Sequence, residues 1–392
     1  MEAVLKRPAA LPRLTPAAAA LIVAAVHGAY VALTGIQPAG DSAAYAFWAD
    51  RLIVSDFDYP SLLAEAGPSF PAVFYALFVT LAAVLKLMAG DDWMIALVVV
   101  NFAAHVGLAA LLVRLALLAT GGAATAAWAA LILFLACHDI VKWTGFILSD
   151  STFVFLTFTT FTLAADRILD RAKSWTPVAP SAVAGVFYRP TGIVLVADLA
   201  WAAFLARRRR LPSPRAMAAG LAACMLGGAT LFAWLVAAPG RWPFGRLSSA
   251  FETVASGYAV GEVVSGRPET AHAPPTGVAD ILLISADRFL HFFAVGAEGF
   301  SVAHWAVSLA FFLPVYALAG WLGIVLWRGN DGLGENQRRL FLASMGAVLA
   351  YASFHALVQV DFDWRYRLPI LPHLILLAAG GAADLSRRAR RR

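Results

Sequence analysis

Long apolar runs separated by short polar segments make up most of this chain. A membrane-spanning helix needs about 20 mostly apolar residues. Ten runs reach or approach that length: 16–36, 69–90, 93–113, 123–141, 146–165, 178–206, 216–238, 303–327, 340–357 and 368–385. We expect helices because an open sheet edge in lipid leaves backbone groups unpaired. The pattern therefore predicts an all-α polytopic membrane protein, a single domain over residues 1–392 with about ten (nine to eleven) transmembrane helices.

Composition agrees with a membrane location. Hydrophobic residues make up 61% of the chain and charged residues 14%, whereas soluble domains carry about 25% charged residues. The chain therefore lacks the polar surface that a soluble globule needs. Its two cysteines cannot form a disulfide framework, and they lack the CxxC spacing of a redox or zinc site.

The formal net charge of +6 comes from short basic clusters beside the apolar runs. Such clusters mark the cytoplasmic side of a membrane protein, and they give no indication of nucleic-acid binding. Both terminal tails are therefore predicted to be cytoplasmic. Segments 37–68 and 239–302 carry an excess of acidic residues, which predicts two larger loops on the periplasmic face with short juxtamembrane helices.

The segment 178–206 leaves two topologies open, because Tyr188-Arg189-Pro190 places a charge and a helix breaker inside it. One interpretation is a single tilted helix. The other is two short helices with Arg189 near their apex on the outer side. The second agrees better with the positive-inside rule, but it requires that one of the three segments between 69 and 141 fail to cross completely.

Charged residues in or beside a membrane are costly, so they are candidates for function. Asp41 follows the first span, in Gly40-Asp41-Ser42-Ala43-Ala44-Tyr45. It could cap a helix lying along the membrane surface. Alternatively, its carboxylate could accept a proton from a hydroxyl nucleophile at the water–lipid boundary.

Arginines supply the second and third candidate sites. Arg189 could reach the interface beside a kink, or its guanidinium could clamp a phosphate. Asp361 to Arg367 contains two acids, two arginines and three aromatic residues at the outer mouth of the last span. An aromatic belt explains Trp364 and Tyr366, but it does not explain Arg365 and Arg367 on the face that usually carries fewer positive charges.

Four acidic residues are weaker candidates. Asp150 begins an apolar helix and could cap it or face the outer cavity. Asp56 and Asp58 could hold a divalent cation such as Mg²⁺ or Mn²⁺ through oxygen ligands, or lie in a solvated loop. Glu65 has the same ambiguity. The histidines lack the HxxxH and HExxH spacings of metal sites, and no GxSxG motif indicates a serine hydrolase.

In the order of these motifs the chain resembles the GT-C superfamily of membrane glycosyltransferases. It is most similar to the bacterial branch that includes protein O-mannosyltransferases and the lipid A aminoarabinose transferase. The resemblance extends over nearly the whole chain and rests on five short motifs: Gly-Asp-Ser-x-x-Tyr at 40–45, Pro68 and Pro71 with Tyr75, Leu-Ser-Asp-Ser at 148–151, Tyr-Arg-Pro-Thr-Gly at 188–192 and Arg-Tyr-Arg-Leu-Pro at 365–369.

The resemblance implies inverting transfer of a sugar from a polyprenyl-phosphate donor to an acceptor hydroxyl on the periplasmic face of the bacterial inner membrane. The acceptor could be a glycan, a lipid or a protein. By this analogy Asp41 is the catalytic acid of the first loop and Arg189 lies near the lipid phosphate. Arg365, Arg367 and Tyr366 are predicted to bind the donor phosphate as well. Asp150, Tyr45 and Glu65 are predicted to support the site.

Two other classes of function remain open. A transporter or lipid flippase would show ionisable residues along a path through the bundle, and Asp198 is the main residue of that kind. A non-catalytic scaffold would bind a partner through its outer loops.

Overall fold

The computed structural model describes residues 11–66, 75–208, 248–329, 332–358, 360–361 and 365–391, with single positions at 211, 216, 220, 227 and 230. The side chains of 63–66, 248–253 and 361 are not part of this description. Apart from those single positions, the predicted span 216–238 lies outside the described residues. Pro68, Pro71, Trp364 and the side chain of Glu65 lie outside them as well.

Helices dominate the described part of the chain. The α-helices are α1 (Pro16–Thr34), α2 (Gly40–Val54), α3 (Tyr59–Ala66), α4 (Ala76–Ala89), α5 (Trp93–Ala119), α6 (Ala124–Ala136), α7 (His138–Trp143), α8 (Asp150–Ile168), α9 (Val178–Tyr188), α10 (Val194–Arg207), α11 (Ser248–Ala259), α12 (Val278–Phe292), α13 (Val302–Arg328), α14 (Glu335–Val358) and α15 (Leu371–Arg391). Short 3₁₀ helices cover Gly90–Asp92, Pro190–Ile193, Pro268–Thr270 and Arg365–Ile370. Two short strands, β1 (Val264–Ser265) and β2 (Val360–Asp361), pair in parallel.

Six segments of the described chain are long and apolar enough to cross a bilayer: Pro16–Thr34, Ala76–Ala119, Pro190–Arg207, Val302–Arg328, Glu335–Val358 and Arg365–Arg391. This confirms an all-α membrane protein. Ala76–Ala119 contains two helices, α4 and α5, and the apolar helices α6 and α9 are shorter. The predicted number of about ten crossings is not reached by this measure, and it stays a prediction.

The last helix, α15, forms the centre of the bundle. All residues from Leu371 to Gly381 are buried, and α15 packs against α5, α6, α13 and α14. A Cβ built on Gly381 would lie 2.1 Å from the carbonyl oxygen of Leu318 on α13. Small residues allow such close backbone approach, which is how helices pack tightly in a membrane.

The structure shows two helices in segment 178–206, as in the second topology. Arg189 has extended backbone angles, φ −154° and ψ 151°, because the residue before a proline is pushed out of the helical region. The chain then folds back sharply. A Cβ built on Gly192 would lie 1.9 Å from the carbonyl oxygen of Gly185, so only glycine fits at this break.

The helix ends form two groups at opposite ends of the bundle. At the first end, Arg114 pairs with Asp166 at 2.7 Å, and the guanidinium of Arg339 donates to the backbone oxygen of Arg208. We call this the basic end. Its described basic residues are Arg13, Arg114, Arg167, Arg171, Lys173, Arg207, Arg208, Arg328, Arg338, Arg339, Arg387, Arg388, Arg390 and Arg391.

The opposite end contains α2, α7, the first turn of α8, the break at Arg189 and the 3₁₀ helix Arg365–Ile370, and we call it the site end. Helix α4 lies against α2 there. The rings of Phe78 and Tyr45 are 4.7 Å apart, and Lys86 pairs with Asp50 at 2.6 Å. With 14 residues, α4 is about 21 Å long, which is shorter than the roughly 30 Å apolar core of a bilayer.

The long segment before α13 carries a small core of its own at the site end. Its buried apolar residues Tyr258, Val263, Val264, Ile281 and Ile284 pack with Val360 of β2. Arg288 is buried beneath them, and its guanidinium stacks on the Tyr258 ring at 4.1 Å and donates to the backbone oxygen of Glu262. Burial lowers the pKa of the Arg288 guanidinium. Together with the β1–β2 pairing, these contacts fasten the segment to the end of α14.

Candidate functional site

Among the described residues, three arginine–aspartate pairs at the site end each join parts of the chain that are distant in sequence. They are Arg365–Asp41, Arg189–Asp150 and Arg367–Asp139. Two of the arginines come from one short 3₁₀ helix, Arg365–Ile370. Asp41 and Asp150 lie in the first turns of α2 and α8, where the helix dipole favours a negative charge.

The Arg365–Asp41 pair lies at the surface of the site. The guanidinium Nη1 of Arg365 donates to Oδ2 of Asp41 at 2.6 Å. The Asp41 side chain is 49% exposed, against 16% for Arg365. Ser42 anchors the start of α2, because its hydroxyl donates to the backbone oxygen of Ile147 at 2.8 Å. The Asp41 carboxylate is therefore fixed in orientation and remains accessible to a hydroxyl from outside.

The Arg189–Asp150 pair is sealed inside the protein. The two side chains are only 6% and 3% exposed. The rings of Phe153 and Tyr75 lie 5.8 and 6.0 Å from the guanidinium carbon. Asp150 is the first residue of α8. Its carboxylate pairs with Arg189, and the start of α8 has no side-chain capping hydrogen bond. Tyr45 packs beside this pair, and burial raises its pKa, with Asp150 and Tyr75 adding to the rise and Arg189 opposing it.

The Arg367–Asp139 pair connects α7 to the 3₁₀ helix Arg365–Ile370, which precedes α15. Nη2 of Arg367 donates to Asp139 at 3.1 Å, and Nη1 donates to the backbone oxygen of Ala294 at 2.7 Å. The guanidinium also stacks on the ring of Phe312 at 4.1 Å. The sequence patterns did not identify Asp139, because it lay inside the predicted span 123–141. The acid and base in Asp139-Ile140-Val141-Lys142 could have shown that the span ends earlier, and α6 does end at Ala136.

Two cavities flank Arg367. The polar chamber, of about 180 Å³, is lined by Arg267, Glu269, His291, Glu298, Tyr366 and Arg367 together with Phe292 and smaller residues. The basic chamber, of about 220 Å³, is lined by His138, Asp139, Lys142, Arg267, His304 and Arg367 and by apolar residues of α13. Arg267 and Arg367 line both chambers.

The basic chamber carries an excess of positive charge. The ammonium group of Lys142 faces the rings of Trp143 and Phe146 at 4.9 and 5.7 Å. In the described part of the chain no carboxylate pairs with it. Desolvation lowers the pKa of His138, although Asp139 partly opposes this shift. His138 therefore contributes a neutral imidazole at pH 7, and the full charges come from Lys142, Arg267 and Arg367 against Asp139.

The remaining predicted residues lie apart from these chambers or outside the described residues. Asp58 caps α3 by accepting from the backbone nitrogen of Ser61 at 3.1 Å and from its hydroxyl, and these bonds lower the pKa of Asp58. Asp56 occupies a tight turn with φ 50°. Among the described residues no group of three or more His, Cys, Asp or Glu side chains could hold a metal ion. The predicted site for Mg²⁺ or Mn²⁺ at Asp56 and Asp58 stays a prediction.

A separate polar cluster lies inside the bundle. Asp198 on α10 faces a cavity of about 10 Å³ that is also lined by Thr157, Tyr351 and His373. Tyr351 and His373 are fully or almost fully buried. A cavity of this size holds about one water molecule.

Comparison with known proteins gives no further guide to this arrangement. No protein-family model, no curated protein and no solved structure matches the chain. The function must therefore be argued from the two chambers and the three ion pairs.

Proposed function

We propose that the protein is a glycosyltransferase that moves a sugar from a polyprenyl-phosphate donor to an acceptor hydroxyl, with inversion. The observation that supports this most strongly is the geometry of the 3₁₀ helix Arg365–Ile370. It presents Arg365 to the accessible carboxylate of Asp41, and two residues later it presents Arg367 to both chambers. One short 3₁₀ helix thus connects the proposed base with the proposed phosphate site.

The distribution of charge supports an active site outside the cytosol. The basic end carries most of the described arginines and few acids, and the positive-inside rule assigns such an end to the cytoplasm. The site end would then face the periplasm of a bacterial inner membrane. In this orientation α9 and α10 form a hairpin with Arg189 at its outer apex, and α4 stays on the outer side.

The reaction requires a cationic group that stabilises the leaving phosphate and a base that accepts the proton of the acceptor hydroxyl. The acceptor oxygen attacks the anomeric carbon while the bond from that carbon to the donor phosphate oxygen breaks. The leaving phosphate gains negative charge, which preplaced guanidinium groups such as Arg367 stabilise best in a site poor in water. The acceptor hydroxyl loses its proton to Asp41, and displacement from the opposite face inverts the anomeric configuration.

The test is transfer by purified protein in nanodiscs. We expect sugar transfer from a polyprenyl-phosphate-linked donor to candidate glycan, lipid or protein acceptors, and loss of roughly 10²–10⁴-fold in turnover for Asp41→Asn, the range for removing a general base. Asp50→Asn is the matched control, because Asp50 is also on α2, exposed and paired with a cation. Full turnover by Asp41→Asn would exclude Asp41 as the base. Addition of EDTA tests the requirement for Mg²⁺ or Mn²⁺ separately.

A transporter or lipid flippase is the second candidate, favoured by the cluster of Asp198, Tyr351 and His373 inside the bundle. It predicts movement of an intact lipid-linked sugar between leaflets without a new glycosidic bond. Reconstituted vesicles with a labelled donor distinguish the two functions, since the transferase makes product on one face and the flippase makes none. Asp198→Asn should abolish flipping and leave transfer intact.

A further inference from the structure

We propose that the basic chamber binds the phosphate of the polyprenyl donor, and that the first half of α13 holds the start of its isoprenoid chain. The sugar then lies in the polar chamber, on the other side of Arg267 and Arg367. This inference rests on the proposed function and deepens it by assigning parts of the donor to two cavities. It also differs from the expectation that Arg189 and Arg365 bind the phosphate.

The charges of the chamber fit a phosphate group. Lys142, Arg267 and Arg367 line it with positive charges, and Asp139 is the one carboxylate among its described lining residues. Asp139 pairs with one edge of Arg367, so it orients the guanidinium. Arg267 is held by the backbone oxygen of Glu298 at 2.7 Å, with Glu269 at 3.5 Å. The ammonium group of Lys142 faces the rings of Trp143 and Phe146, and no carboxylate among the described residues pairs with it.

Arg189 and Arg365 are less suited to this role. Arg189 is sealed against Asp150, and neither Arg189 nor Arg365 lines either chamber. A phosphate at Arg189 would have to displace a buried carboxylate, and breaking such a pair leaves an uncompensated buried charge. Arg367 remains in the assigned site, because it lines both chambers.

The apolar wall of the basic chamber continues along α13. Val307, Phe311 and Phe312 line the chamber. Val307 is itself 42% exposed, so this wall reaches the outer surface of α13, and Val302 at 87% and Leu313 at 57% are exposed on other faces of the same helix. The chamber holds about 220 Å³, and enclosed ligand sites for whole small molecules are roughly 300–1,000 Å³. The chamber therefore suits a phosphate and the first part of a chain whose remainder runs along α13 in the lipid.

The polar chamber offers the groups that a sugar needs. Glu269, Glu298, His291 and Tyr366 supply acceptors and donors for hydroxyl groups. Tyr366 also stacks on His355, with ring centroids 4.9 Å apart, which fixes its orientation. Because both chambers meet at Arg367, the bond between sugar and phosphate would lie beside its guanidinium.

Direct binding of farnesyl monophosphate to the full-length protein in nanodiscs tests the assignment without requiring transfer. We expect Lys142→Met to weaken binding by about tenfold or more, because a hydrogen bond to a charged group contributes about 1.5–3 kcal/mol. Lys173→Met is the matched control, since Lys173 is an exposed lysine at the basic end. Farnesol lacks the phosphate, so it should bind more weakly than farnesyl monophosphate. Its affinity should be the same for the unmodified protein, Lys142→Met and Lys173→Met. Inorganic phosphate alone should bind weakly, because it lacks the chain.

A second variant and a labelling experiment guard against misfolding. Ser308→Trp fills the basic chamber from α13 and should also weaken binding of farnesyl monophosphate, with melting temperature as the check on folding. A benzophenone-bearing isoprenoid phosphate should crosslink between Val302 and Phe312. Unchanged binding in both variants, or crosslinks confined to α2 and α9, would overturn the assignment.

The outcomes separate the inference from the proposed function. If farnesyl monophosphate binds as expected and no donor or acceptor supports transfer, the transferase proposal fails and the lipid-phosphate site stands. If transfer occurs and Lys142→Met leaves both binding and the donor KM unchanged, the chamber assignment fails and the transferase stands.

Discussion

Arg365 and Asp41 are separated by 324 positions in the sequence, and their side chains meet at 2.6 Å. The contact joins the start of the last long apolar segment to the helix that follows the first span. Because Asp41 is half exposed, the pair adds little to folding; exposed pairs contribute about 0–1 kcal/mol. Its main effect is to orient an accessible carboxylate at the site end.

We therefore expect Arg365→Met to reduce sugar transfer strongly while the melting temperature changes little. The reason is that Asp41 loses its orienting partner and gains rotamer freedom. Measurement of kcat and donor KM in nanodiscs checks this expectation, and kcat should fall more than KM rises. Arg51→Met, a change in a partly exposed arginine on α2, is the control. A large loss of thermal stability in Arg365→Met would contradict the orienting role.

The buried pair should respond in the opposite way. Asp150→Ala leaves the charge of Arg189 uncompensated inside the protein, and breaking a buried pair costs about 3–5 kcal/mol. We expect a large fall in melting temperature, and partial recovery in the double variant Asp150→Ala with Arg189→Met, which removes both charges. Thermal unfolding of all three proteins in one detergent is the measurement. A double variant no more stable than Asp150→Ala would contradict this account.

The sequence predicts the helical membrane class well, because long apolar runs have few alternatives in a chain with so few charges. It predicts Asp41, Arg189, Arg365 and Arg367 as notable residues for the same reason: each interrupts an apolar pattern. It does not predict their partners. Pairing of Arg367 with Asp139 depends on where α6 ends, and hydropathy alone does not mark the end at Ala136.

The two chambers also could not be predicted from local patterns. Lys142, Arg267 and His304 come from three separate elements, and each is unremarkable within its own stretch of sequence. The break at Arg189 is a different case. The proline that follows Arg189 in an apolar run was enough to predict a possible break in the helix. The structure adds that Gly185 and Gly192, on either side of Arg189, pack closely at the sharp turn.

The break itself can be tested through Gly192. A Cβ there would lie 1.9 Å from the carbonyl oxygen of Gly185, so Gly192→Ala forces α9 and α10 apart. Overpacking of this kind typically costs about 1–3 kcal/mol or more. Gly40→Ala is the control, since a Cβ on Gly40 has no atom within 4 Å. We expect a lower melting temperature only for Gly192→Ala, and equal values for both variants would contradict the tight turn.

Arg288 should control the stability of the segment between α11 and α13. Replacement by methionine leaves the backbone oxygens of Glu262 and Val358 without this donor, and each unsatisfied buried group costs about 1–3 kcal/mol. We expect faster proteolysis within 248–298 and little change in the helical bundle. Limited proteolysis with mass spectrometry locates the cuts. Arg267→Met tests whether loss of any arginine in this segment has the same effect. Because Arg267 is less buried than Arg288, the protease should cut the Arg267→Met protein more slowly than the Arg288→Met protein.

The orientation of the two ends can be tested with single cysteines on a background in which Cys137 and Cys224 are alanine. Asp170→Cys lies at the basic end and Glu269→Cys at the site end, and both positions are exposed. If the basic end is cytoplasmic, an impermeant maleimide added to intact spheroplasts should label position 269 and not position 170. Lysis should make position 170 reactive as well, which controls for burial. Labelling of both positions before lysis, or of 170 alone, would reject the proposed orientation, and with it a site that meets a lipid-linked donor outside the cytosol.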